Sequence, residues 1–167
     1  MAVSARHRGW RHDEAGRLQA MYDGTEVFDF DANDIAFSVA MTSSAAVKSS
    51  SSSAGIGYAT GAGSTVTQIT NRSTGVTIDA ICGAITTDAT SLAAGSEAVF
   101  TVTNSAVAIG DVIVLSARSG QTAGTSVPFV TAVAAGSFDI TLSNIHASTA
   151  DTGAMIINFA VIKAVSA

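Results

Sequence analysis

Residues 55–66 read GIGYATGAGSTV, and this stretch divides the chain into two parts of different character. Gly55, Gly57, Gly61 and Gly63 place four glycines within nine residues. Glycine takes backbone conformations that other residues avoid, so the segment reads as a jointed entry into the downstream body. Behind it lie a serine run, 49–53, and a charged N-terminal third. Ahead of it, strand-like segments with very little charge continue to the last residue.

Downstream the pattern is β throughout. Candidate strands cover 65–70, 75–85, 98–103, 111–117, 127–134, 137–143 and 154–164. Phe138, Ile140 and Leu142 alternate with Ser137, Asp139 and Thr141, the signature of a half-buried antiparallel strand. Turn residues separate the strands at 71–75, Ala94-Gly95, Ile109-Gly110-Asp111, Ser119-Gly120 and Ala135-Gly136. About seven short strands at regular spacing predict an antiparallel β-sandwich or jelly-roll-like body rather than βα units. In the last strand Ile156, Asn158, Ala160 and Ile162 alternate with Ile157, Phe159, Val161 and Lys163, so both faces are largely apolar. Residues 112–115 are similar. An outer face of that kind predicts a subunit interface, hence a homo-oligomer, with Ile156, Phe159, Val161 and Ile162 as interface candidates.

Upstream, Leu18, Ala20 and Tyr22 alternate with Gln19 and Met21, Asp23-Gly24 supplies a turn, and Val27, Phe28 and Phe30 resume the strand. This predicts a β-hairpin, too small to be stable alone. Residues 1–17 show neither helical nor strand periodicity and read as a frayed terminus or a docking arm. Trp10 and the arginines are residue types common in binding hot spots. Residues 35–53, rich in Ala and Ser, read as a linker, with weak patterning for a short helix over 40–48. The expected organisation is an arm, 1–17, a hairpin and linker, 18–54, and a β body, 55–167.

The 167 residues carry a net charge of −5, with only 13% charged. Ordinary soluble domains carry about a quarter, so this surface is expected to be covered by copies of itself or by another protein. Residues 1–34 hold four Arg against seven Asp or Glu; the remaining 133 residues hold four basic and six acidic groups. No clustered Lys and Arg are available for phosphates, so nucleic acid is not an expected partner. Mean hydropathy is +0.40, yet the longest apolar stretch, 154–165, contains Asn158 and Lys163 and is too short to span a bilayer as a helix. No membrane partner is expected. No apolar run follows the N-terminal arginines, so no secretory signal is read and a cytosolic origin is expected.

Motifs for chemistry are missing from the sequence. There is no GxSxG, HExxH, CxxC pair or Walker loop, and Thr60 stands where a dinucleotide loop starting at Gly55 needs its third glycine. The one cysteine, Cys82, lies in a strand-like run and reads as a small apolar side chain. Asp29, Asp31, Asn33 and Asp34 lack the glycine and terminal Glu of a calcium loop, and a His7–His12 pair lacks further metal ligands. Asp79, Asp88, Asp111 and Asp139 are scattered. The expectation is a protein that is not an enzyme, with no cofactor and no metal.

A resemblance rests on several segments. They are Tyr58-Ala59-Thr60-Gly61-Ala62-Gly63, Thr65-Val66-Thr67-Gln68, Ser73-Thr74-Gly75-Val76-Thr77 and Cys82-Gly83-Ala84-Ile85-Thr86. Phe100-Thr101-Val102-Thr103-Asn104-Ser105 and Ile157-Asn158-Phe159-Ala160-Val161-Ile162-Lys163 complete the series. In this order they resemble virion proteins of tailed bacteriophages: capsid decoration, cement, head-fibre or tail-fibre proteins. The resemblance spans 57–167 and implies a homotrimer without enzymatic activity. It also implies a location on the capsid surface, after synthesis in the host cytoplasm, with the major capsid protein as partner. Arg8, Trp10, Arg11, Tyr22, Phe28 and Phe30 are then the capsid-interface candidates. The alternative is a short tail- or head-fibre protein that binds a host surface glycan through loops 118–125 and 144–152.

Overall fold

The computed structural model describes residues 52–53, 55–122 and 124–164, together with the backbone of four strands further upstream. The chain divides into two compact units, Met1–Ile56 and Gly57–Ala167. The division falls inside the glycine-rich stretch. Among the described residues every regular element is a β-strand, and no helix is long and apolar enough to cross a membrane.

The first unit holds β1 (Arg8–His12), β2 (Leu18–Tyr22), β3 (Thr25–Phe30) and β4 (Ile35–Phe37), paired in that order as an antiparallel sheet. The expected hairpin is the β2–β3 pair, with Leu18 opposite Phe30 and a register shift between Ala20 and Met21. Two expectations are corrected here. Part of the arm is itself a strand, because β1 pairs with β2 along its length. The linker contributes β4, which pairs Phe28 with Phe37 and Phe30 with Ile35. Pairing with a neighbour satisfies backbone groups whatever the periodicity of the side chains, which is why composition missed both strands. The helix considered for 40–48 lies outside the described residues.

The second unit is built from two four-stranded sheets. One has the order β5 (Gly63–Thr67), β7 (Cys82–Thr86), β12 (Ile156–Ile162), β9 (Val112–Ser119). The other has the order β10 (Ser126–Ala134), β11 (Ser137–Asn144), β8 (Glu97–Thr103), β6 (Val76–Thr77). Both sheets are mixed, which corrects the antiparallel expectation. β5 runs parallel to β7, and β6 runs parallel to β8. The candidate strand 75–85 is in fact two strands, β6 and β7, in different sheets. Between them the chain crosses from one layer to the other at 78–81, where Ile78 donates its amide to the Thr103 carbonyl and Ile81 accepts from the Val161 amide. The apolar run continues through the crossing because Ile78 is itself buried in the core.

Period-two alternation sets the core. Ala98, Phe100 and Val102 of β8, Phe138, Ile140 and Leu142 of β11, Ile157, Phe159 and Val161 of β12, and Ile85 of β7 are buried in one cluster. The Phe138 and Phe159 rings meet across the two layers, their centroids 5.8 Å apart. Each such aromatic buries a large apolar area, worth roughly 2–3 kcal/mol on transfer from water.

Candidate functional site

Two surfaces of the body are distinctive. The first is the outer face of the β5–β7–β12–β9 sheet. Registers place Val112 beside Ile162, and Val114 beside Ala160, Cys82 and Gly63. Ser116 comes next, beside Asn158, Ala84 and Thr65, and then Ile156 beside Thr86 and Thr67. No residue in this set is charged. Val112, Val114 and Ile162 are each about half exposed, at 53%, 47% and 54%. Arg118 is the unpaired residue of a bulge at the far end of β9. Lys163, just past β12, bonds to the Asp111 carboxylate at 2.5 Å and to the Ala106 carbonyl. That contact with Lys163, with the Ala108 amide, holds the Asp111 carboxyl below the usual carboxylate range.

Alternation separates the four interface candidates of the last strand. Ile156 and Ile162 lie on this outer face. Phe159 and Val161 are core residues at 4% and 0% exposure, packed against the opposite sheet. Sequence reasoning found the β12 and β9 parts of the face. It missed Thr65, Cys82 and Ala84, because the parallel β5–β7 pairing is made only after the chain has crossed to the other layer and back.

The second surface is the end of the body formed by loops 68–75, 87–96, 120–125 and 145–155. One buried ion pair ties all four together. Arg72 Nη1 lies 3.5 Å from Asp151 Oδ2, and both side chains are almost wholly buried. The guanidinium also donates to the carbonyls of Thr90, Asp151 and Gly153. Asp151 Oδ1 in turn accepts from the Thr122 and Gly153 amides. Burial works to raise the Asp151 pKa, but the Thr122 amide, the Ser126 hydroxyl, the Gly153 amide and the Arg72 charge together outweigh it, so the carboxyl titrates below its usual range. Gln68 and Asn144 brace the same end: Gln68 donates to the Thr74 carbonyl and accepts from the Asp88 amide, while Asn144 donates to the Leu92 and Thr149 carbonyls.

Beside the ion pair an open pocket of about 310 Å³ is lined by Asn71, Arg72, Ser73, Thr90, Ser91, Leu92, Glu97 and Ala98. Its lining includes three hydroxyl residues, Ser73, Thr90 and Ser91, one carboxamide, Asn71, and the charged Arg72 and Glu97. The Asn71 carboxamide oxygen is already engaged by the Ser73 amide and the Thr74 hydroxyl. Sequence reasoning missed the pocket, since its residues come from three separate segments.

The capsid-interface candidates lie in strands of the first unit. Register sets Trp10, Ala20, Phe28 and Phe37 side by side across the sheet, as it does Leu18, Phe30 and Ile35; Arg8 pairs with Tyr22, and Arg11 with Gln19. His7 and residues 31–34, weighed as metal ligands on their spacing, lie outside the described residues. Among the described residues no group of three or more His, Cys, Asp or Glu is gathered to hold a metal ion. Comparison with known protein families, with curated proteins and with solved structures found no match to this chain.

Proposed function

We propose that this chain is a structural protein of a tailed-bacteriophage virion that sits on the outer capsid surface as a homotrimer and stabilises or decorates the shell. The observation that carries the self-association is that the cross-strand paired positions on the outer face of the β5–β7–β12–β9 sheet, from Val112 and Ile162 to Ile156 and Thr67, are all uncharged, on a chain with 13% charged residues. The virion assignment is supported by the ordered segments of 57–167 that resemble phage decoration and fibre proteins. In this reading the first unit, with Arg8, Trp10, Arg11, Tyr22, Phe28 and Phe30, engages the major capsid protein. Many modest contacts repeated over a shell then act together through multivalency. No catalytic step, cofactor or metal belongs to this proposal.

Immunogold labelling of purified virions with antibody to this protein tests it. Gold spread over the head is the expected result. Gold confined to the tail, or virions without gold despite a working antibody, would overturn it. The pocket beside Arg72 favours one second reading, a head- or tail-fibre protein whose loop end binds a host surface glycan. Its hydroxyl and carboxamide groups suit a sugar. Retention of the purified protein on a glycan array, lost on Glu97→Ala, would support that reading over decoration.

A further inference from the structure

We infer that His146 is a pH-sensitive latch on the loop end of the body: its neutral imidazole closes the 146–149 turn, and protonation releases it. Ser148 and Thr149 both donate their amides to His146 Nδ1, at 3.2 and 2.9 Å. A ring nitrogen that accepts carries no proton, so the ring is neutral with its proton on Nε2. In the imidazolium both nitrogens are donors, and a donor then faces two donors. Turning the ring over restores nothing, because neither edge of an imidazolium accepts. Imidazole is the side chain whose charge ordinarily changes between about pH 5 and 8. Mild acid therefore costs the turn both bonds at once. The latch is independent of the virion reading and of self-association.

The turn is wired to the rest of this end. Asn144 accepts from the His146 amide and donates to the Thr149 and Leu92 carbonyls. Leu92 in turn exchanges backbone hydrogen bonds with Asp151, the partner of Arg72. The imidazole thus holds Thr149 where Asn144 reaches it, and Asn144 also fixes Leu92, a wall of the pocket. The charged groups of the surrounding segments are Arg72 in 68–75, Asp88 in 87–96, Glu97 at the start of β8, Arg118 near the end of β9 and Asp151 in 145–155. Residues 120–125 carry none. Arg72 and Asp151 engage each other, and Asp88 is held by Thr90. Among the described residues no ion pair joins any of these groups to His146. Carboxylates ordinarily protonate at about pH 4, so in the imidazole range His146 is the group of this end that changes charge.

NMR on the full chain over about pH 8 to 5 tests the latch, comparing wild type with His146→Asn and His146→Ala. A carboxamide oxygen sits one bond from Cγ, as Nδ1 does, and accepts at any of these pH values. His146→Asn is therefore a latch that acid does not open. At the upper end of the range, the imidazole signal that both variants lack should report the Nε2–H tautomer. As that ring titrates, the Ser148 and Thr149 amides should lose about 10-fold in protection, the size of one net hydrogen bond, after correction for the intrinsic pH dependence of exchange. His146→Asn should keep both amides protected throughout, and His146→Ala should leave them unprotected throughout. An Nδ1–H tautomer in the neutral ring would overturn the inference. So would protection that survives titration of His146, or an acid loss in His146→Asn equal to that in wild type. The tautomer and His146→Asn decide the matter even where His146→Ala fails to fold.

Discussion

At the scale of single residues, the Arg72–Asp151 pair carries the most consequence. It joins residues 79 positions apart and gathers four loops around two side chains that are almost wholly buried. Removing one partner of a buried pair leaves a charge without compensation, which typically costs about 3–5 kcal/mol. Asp151→Asn keeps the shape and removes the charge, and urea unfolding of the body should show a loss of that size. The sign of the pH dependence comes from the depressed Asp151 pKa. A carboxyl ionised more readily in the folded than in the unfolded chain contributes stability above its unfolded pKa. That contribution is lost as pH falls through the folded value. The urea midpoint should therefore drop on acidification below the ordinary carboxylate range, and the drop should be smaller in Asp151→Asn. Neither partner was legible in sequence as a functional group. Arg72 reads as a turn residue, and only the close approach of the loops makes it a clamp.

At the scale of elements, the parallel pairs decide how the layers meet. β5 can lie close beside β7 because Gly83 has no side chain. A Cβ there would stand 2.2 Å from the Ser64 carbonyl oxygen and 3.1 Å from the Phe159 ring. Gly83→Ala should push β5 or Phe159 out of place and cost roughly 1–3 kcal/mol, read as a lowered unfolding midpoint. The loops show a tighter crossing. A Cβ on Gly120, which has φ +90°, would stand 1.8 Å from the Ala154 carbonyl oxygen. The approach is closer than at Gly83, and φ lies where side-chain-bearing residues are strained, so Gly120→Ala should destabilise more than Gly83→Ala in the same assay. Strands β8 to β12 were foreseeable to within a residue or two, since alternation and turn residues are local signals. The split of 75–85 into β6 and β7 was not, because Ile78 keeps the apolar run going across the change of layer.

At the scale of the whole molecule, the two units make separate predictions. The second unit has a closed core between two sheets, whereas the first is a four-stranded meander. Calorimetry of the full chain should show two transitions, because separate units unfold separately. Gly83→Ala and Asp151→Asn should lower the one belonging to 57–167 and leave the other in place. A single transition shifted as a whole by either substitution would show that the units unfold as one.

The chain alone determined its class and its division. Low charge, alternating apolar positions and regularly spaced turns require a β body, and the glycine-rich stretch marks its start to within two residues. Alternation along one strand also assigned Ile156, Asn158, Ala160 and Ile162 to a shared face. What only the tertiary structure decided was partnership: β5 beside β7, Arg72 against Asp151, and an uncharged surface assembled from four strands. Alternation is a property of one strand and can be read locally. Pairing between strands separated by a crossing depends on which layers close over a common core, and that is settled only when the whole body folds.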